Sequence, residues 1–179
     1  MTYIALLRGI NVGGNNKVPM TDLKAALVAV GCSSVVSYIN SGNLVFTDNR
    51  SVAELQNIIE AKILATFGFA VKLLIIPGNI FMAIAAALPT EWRNDATMKC
   101  DVMFLWNDKD NEQVLEALSL KPGIDTVRYV PGAILWLVDR RHTAKSGMQQ
   151  LPGTELYRKM TIRNCNTVRK LAQLAGENQ

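Results

Sequence analysis

An α+β fold built from two tandem halves is predicted by three observations. Strand-like apolar runs and helix-period segments alternate as β-α-β-β-α-β over residues 1–78. A helix and then β-α-β-β-α, the same order lacking a last strand, follow over residues 79–179. Runs such as Val71–Ile76 and Met103–Trp106 are apolar on both faces, so each sheet must be covered twice. The first order is that of the split βαβ, or ferredoxin-like, fold, whose sheet is antiparallel. The expectation is two ferredoxin-like halves, 1–78 and 79–179, with the second packed on the first.

In chain order, Thr2–Arg8 reads as a strand ending in the loop Gly9-Ile10-Asn11-Val12-Gly13-Gly14-Asn15-Asn16-Lys17. Pro19, then Thr21 as a cap and Asp22 in the first turn mark a helix start. Leu23, Ala26, Leu27 and Val30 recur at helical spacing, and Gly31 stops them. Val35–Ile39 and Leu44–Thr47 are β-rich and flank the turn Asn40-Ser41-Gly42-Asn43. Ser51 and Glu54 form a capping box before Leu55, Ile59, Ile63 and Phe67, with Gly68 as the stop. Beyond Pro77-Gly78 come a helix near Ile80–Leu88, a strand Cys100–Trp106 and a short helix capped at Asp110–Gln113. Strands Thr126–Val130 and Ala133–Asp139 follow around Pro131-Gly132, and a C-terminal helix carries Val168, Leu171, Ala172 and Leu174.

With 49% apolar and 19% charged residues, the 179-residue chain has the material for a sizeable core. No apolar run approaches the roughly 18 residues that cross a bilayer, so no membrane partner is expected. The chain opens directly on a strand pattern without a secretion signal, and its three cysteines are odd in number and widely spaced. One histidine and no metal-ligand spacing argue against a metal site. The expectation is a cytoplasmic protein with reduced thiols.

Charge is unevenly placed. Residues 1–139 hold 11 Lys/Arg against 13 Asp/Glu, whereas residues 140–179 hold 8 against 2. The basic cluster Arg140, Arg141, Lys145, Arg158, Lys159, Arg163, Arg169 and Lys170 suits a nucleic-acid partner or an ordinary solvated face. No aromatic run of the RNA-recognition type accompanies it.

Split βαβ topology makes the first two strands parallel, so their following loops share one sheet edge. Arg8, Asn11, Gly13, Gly14, Asn15, Asn16, Lys17, Asn40, Ser41 and Asn43 therefore gather at one rim. Glycine-loop amides, a helix N-terminus and two cations suit a phosphate or carboxylate. The spacing matches neither a Walker loop nor a dinucleotide fingerprint, so no nucleotide cofactor is implied. The competing reading is that these residues supply only left-handed turns and a helix cap. A scaffold that binds other proteins is a third possibility.

Three blocks, LLRGINVGGNNKVPM, YINSGNLVF and Met160–Val168 with its RN-x-NT core, resemble the signature of a bacterial family of unknown function, a DUF. The resemblance spans nearly the whole chain. It implies a duplicated ferredoxin-like fold and no established activity, and it adds Arg163, Asn164 and Asn166 to the candidate ligand residues. Members of that family usually carry tryptophan where this chain has Cys165.

Other chemistry-bearing residues are weaker. His142 could serve as a base oriented by Asp139, or be a solvated loop residue. Cys165, near a helix start, could have an acidified thiol or be structural. Ser41 and Ser146 lack a nucleophile-elbow context. Trp92, Trp106 and Trp136 read as packing residues.

Overall fold

The computed structural model describes residues 1–14 and 16–178. Two compact units form, one from Met1–Met82 with the chain end from Leu171, the other from Ala83–Lys170.

In the first unit, β1 (Thr2–Leu7), α1 (Met20–Ala29), β2 (Ser33–Tyr38), β3 (Asn43–Thr47), α2 (Val52–Phe67) and β4 (Leu73–Pro77) follow the expected order. The sheet order is β2-β3-β1-β4 and every pairing is antiparallel. Both β1 and β2 run against β3, so they are parallel to each other and end at one edge. Tyr3, Ala5 and Leu7 pack with Leu44, Phe46, Leu73 and Ile75 of the sheet and with Leu23, Leu27, Leu55, Ile59 and Ile63 of α1 and α2. Ile4, Leu6 and Val45, on the opposite face, are fully buried as well. The apolar runs thus translate into a sheet with both faces out of water, as expected.

Helix ends show which local signals won. Ser51 and Glu54 close the predicted capping box at the start of α2. At α1 the residue before the helix is Pro19 and no side chain caps it among the described residues. Thr21 sits inside the helix instead, because Pro19 is extended and its carbonyl already accepts Leu23 N–H at 3.0 Å. The other end of α1 is held by Arg50, whose guanidinium donates to Val30 O at 2.9 Å. A cation on the last carbonyls matches the negative end of the helix dipole.

After α3 (Gly78–Ala86), the second unit is built on β5 (Met98–Leu105), β6 (Thr126–Val130), β7 (Ala133–Asp139), α4 (Glu155–Arg158), β8 (Met160–Asn164) and the first residues of α5 (Cys165–Glu177). Its sheet order, β6-β7-β5-β8, repeats that of the first, again wholly antiparallel. Two expectations are corrected. The supposedly missing last strand is present as β8, paired with β5 from Asp101↔Asn164 to Leu105↔Met160. The short helix after β5 is a 3-10 turn, Glu112–Ala117. The strand is hard to see locally because five residues of mixed polarity run without a turn into α5. Its pairing with β5, far away in sequence, creates it.

The core of this unit contains Met103, Leu105, Ile134, Trp136, Val138 and Met160. Asp125 serves as its polar clasp. It accepts from Trp136 Nε1 (3.0 Å), Ser146 Oγ (2.5 Å), Gly147 N (2.9 Å) and Lys121 N (2.9 Å). Every buried polar side-chain atom among the described residues has a partner.

Candidate functional site

The expected rim is present at the edge where β1 and β2 end. Its frame is backbone: Leu7 N donates to Gly42 O (2.8 Å) and Arg8 N donates to Lys72 O (2.9 Å). Asn11 then joins the two loops. Its Nδ2 donates to Asn40 O (2.7 Å) and to Val18 O (2.9 Å), and its Oδ1 accepts from Val18 N (2.8 Å). Within the glycine loop, Asn11 N donates to Asn16 O and Asn16 Nδ2 to Gly9 O, both at 3.1 Å.

These bonds divide the predicted residues into two groups. Asn11 and Asn43 are structural clips. Asn43 is fully buried and donates to Tyr38 O (3.1 Å) and Ser41 Oγ (2.9 Å), holding the β2–β3 turn. The amides of both residues are thereby committed to protein partners. Gly13, Gly14, Lys17 and Asn40 are exposed, and Arg8 and Ser41 are half-buried. Asn15 lies outside the described residues. Gly13 and Gly14 have φ of 61° and 79°, and a Cβ on either would meet nothing within 4 Å. Their glycine identity therefore answers to backbone conformation alone and leaves the peptide groups accessible.

An open hollow of about 440 Å³ lies here, lined by Asn11, Gly14, Lys17, Val18, Pro19, Met20 and Asn40. It includes the start of α1, where N–H groups without a side-chain cap form the positive end of the helix dipole. Lys72 is exposed at the same edge, a third cation beside Arg8 and Lys17. It is invisible to sequence reading because only the β1–β4 register brings it there. Asp22 in the first turn of α1, and Glu60, whose carboxylate accepts Leu73 N at 3.5 Å, are the nearby acids. Val12 (68% exposed) and Ile39 (51%) add apolar surface, and Ile39 adopts φ 49°, a strained conformation for a β-branched residue.

Arg163, Asn164 and Asn166 belong to the second unit and have local duties there. Arg163 donates to Thr161 Oγ1 (3.0 Å) and Ile162 O (2.8 Å), and burial pushes its guanidinium pKa down to about 10. Asn164 caps α5 by accepting from Thr167 N (3.0 Å), and Asn166 donates to Asn94 O (2.9 Å).

The basic cluster is similarly engaged. Arg141 pairs with Asp139 (2.6 Å), Lys159 with Asp108 (2.8 Å), and Arg169 donates to Pro89 O (2.9 Å). Arg140 binds Asp95 O and Asn94 Oδ1. Asp139, the presumed orienter of His142, instead accepts from the Arg141 guanidinium and backbone N–H, which hold its carboxyl down at about 2. Trp92 and Trp136 are buried as packing residues. Among the described residues no group of His, Cys, Asp and Glu could hold a metal ion. Nor is any helix among them long and apolar enough to cross a membrane.

A duplicated split-βαβ protein with a glycine- and asparagine-built loop edge is thus the class that fold and site define. The chain belongs to the family described as "Protein of unknown function (DUF1697)", whose model matches residues 1–136. Among solved structures it is similar to the conserved bacterial protein SP0830 from Streptococcus pneumoniae, at 32% identity and a TM-score of 0.82. That similarity covers 97% of this chain and 98% of the other. A search of curated proteins finds no match.

Proposed function

We propose that the β1–α1 and β2–β3 loop edge of the first unit binds a small phosphorylated or carboxylated molecule. One observation carries this reading: Asn11 clamps the glycine loop against the Asn40 turn beside Lys17, the uncapped start of α1 and an open hollow. In that arrangement Asn11 and Asn43 are positioning residues. Lys17, Arg8 and the amides around Gly13 and Gly14 are the groups that would meet the anion, with Lys72 adding field. Arg8, Lys17 and Lys72 against Asp22 and Glu60 leave the edge with one net positive charge. Three free cysteines fit the reduced, cytoplasmic setting proposed for it.

The test is a thermal-melt screen of inorganic phosphate, phosphorylated metabolites and organic acids, since a ligand at about 100 times its dissociation constant stabilises by about 2.7 kcal/mol. Lys17→Ala should abolish the shift and Arg169→Ala should leave it intact. No shift with any anion overturns the reading. A nucleic-acid partner would instead reveal itself by affinity falling steeply with salt, through counterion release, and by sensitivity to Arg169→Ala and Lys170→Ala. The partners already held by Arg140, Arg141, Lys159 and Arg169 speak for the loop edge over that alternative. Arg163, Asn164 and Asn166 enter the proposal through the family blocks, as candidate ligand residues whose substitution should weaken the melt shift.

A further inference from the structure

Cys165 is the first residue of α5, a 13-residue helix capped by Asn164. One turn on, Arg169 returns its guanidinium to the Cys165 sulfur, with Nη1 at 3.5 Å. Arg169 is itself fixed there by its bond to Pro89 O. On the strand side, β5 and β8 pair as Asp101↔Asn164, so continuing the register by one residue sets Cys100 opposite Cys165. Opposed residues in an antiparallel pair have Cα atoms about 4.5–5.5 Å apart, within the range a disulfide spans. The two thiols are free and fully buried, and the strand register sets them opposite each other. As a thiol, Cys165 directs its own proton at Trp92 O (3.9 Å) and Asn166 Oδ1 (3.6 Å).

We propose that Cys100 and Cys165 are a redox-active dithiol, with Cys165 the sulfur that reacts with hydrogen peroxide and Cys100 the thiol that resolves it. A helix N-terminus, an arginine and a donating neighbouring thiol are the surroundings that stabilise a thiolate. The direction of the shifts agrees: the Cys100 S–H donated to it and the nearby Arg169 hold Cys165 down, while Cys100 is pushed up. Burial and the Asp101 carboxylate oppose this and do not reverse it.

In the first step the Cys165 thiolate attacks one peroxide oxygen. An S–O bond forms, the O–O bond breaks, and hydroxide leaves and takes a proton to become water. Cys165 is then a sulfenic acid. The sulfur of Cys100 attacks it, an S–S bond forms, the S–O bond breaks, and the departing hydroxide takes the Cys100 proton as a second water. Peroxide is reduced to two waters and two thiols become one disulfide fastening β5 to α5. Complete burial restricts the oxidant to a molecule as small and uncharged as hydrogen peroxide.

Cys32 is an internal control. It is also buried, but burial and the adjacent Asp48 push its thiol up to about 11. The native full chain is treated with hydrogen peroxide, unfolded in N-ethylmaleimide, and examined by intact mass and peptide mapping. The expected product carries one maleimide, at Cys32, in place of the three of the untreated chain, is otherwise two hydrogens lighter, joins Cys100 to Cys165, reverts with dithiothreitol, and forms at least about tenfold faster than Cys32 oxidises. Arg169→Gln should slow it several-fold and Arg169→Lys much less. Cys100→Ser should leave a sulfenic acid at Cys165 that dimedone traps when the treated chain is unfolded in its presence. Oxygen addition without a cross-link, no reaction, or equal rates at Cys165 and Cys32 would each overturn the proposal. Wild-type mapping alone decides the matter if the variants fail to fold.

Discussion

Asn11 Nδ2 and the carbonyl of Asn40 meet at 2.7 Å, joining loops 29 residues apart at one edge of the first sheet. The same side chain brackets Val18 through its N–H and its C=O. One amide therefore fixes the loop, the turn and the approach to α1.

Asn11→Ala should destabilise the protein by about 2–3 kcal/mol, from three lost hydrogen bonds and a left-handed residue now carrying a bare Cβ. Asn11 has φ 55°, so Asn11→Gly should recover about 1 kcal/mol of that loss and no more. Urea unfolding of the two variants checks the split. Equal stabilities would mean that conformation contributes nothing.

Two glycines of the rim should behave oppositely. At Gly42, φ is 74° and an added Cβ would lie 2.7 Å from Leu7 Cβ and 2.8 Å from Ile10 Cδ1. Gly42→Ala should cost at least about 3 kcal/mol, combining overpacking with backbone strain. Gly13→Ala meets no atom and should cost about 1 kcal/mol, read as a small change in denaturation midpoint.

Gly147 makes a harsher case. A Cβ there would fall on the carbonyl of Ser119, while its N–H is needed by Asp125. Gly147→Ala should strip the second unit of native packing, reported by loss of the near-ultraviolet signal of Trp136. Asp125→Ala should do likewise, whereas Asp125→Asn should retain part of the signal because its carbonyl oxygen still accepts.

The Arg50 guanidinium bonded to Asp48 (2.6 Å) holds the Asp48 carboxyl well below the usual range, with backbone N–H groups helping. A carboxyl depressed on folding contributes stability above its unfolded pKa of about 3.9 and loses it as pH falls toward the folded value. Wild type should therefore lose stability progressively below about pH 4 through this pair. Asp48→Asn should start about 1–2 kcal/mol lower at pH 7 and show a flatter acid limb in urea titrations. Arg50→Ala should add the loss of the α1 C-terminal contact at Val30. Parallel acid limbs in wild type and Asp48→Asn would contradict the assignment.

Much of the first unit was legible because its signals are local and agree with one another. Ser51 and Glu54, the alternation of strands and the Gly42 turn all specify conformation within a few residues. Thr21 misled because proline upstream shifted the helix start, and a cap depends on one residue's position. The convergence of the Asn11 and Asn40 loops was foreseeable from topology alone, since two strands antiparallel to a third must end together. What the side chains do there was not. A sequence shows that asparagines cluster, and only coordinates show that Asn11 and Asn43 spend their amides on the protein's own carbonyls.

The sequence by itself determined the element order of the first unit, most of its repetition in the second and the need for sheets buried on both faces, because hydrophobic period and turn chemistry are local properties of the chain. Tertiary structure alone decided that Met160–Asn164 is a strand, that Lys72 stands at the loop edge, and that Cys100 faces Cys165. Each of these depends on a register between segments far apart in sequence. Register is selected by the packing of whole faces, which no single segment contains.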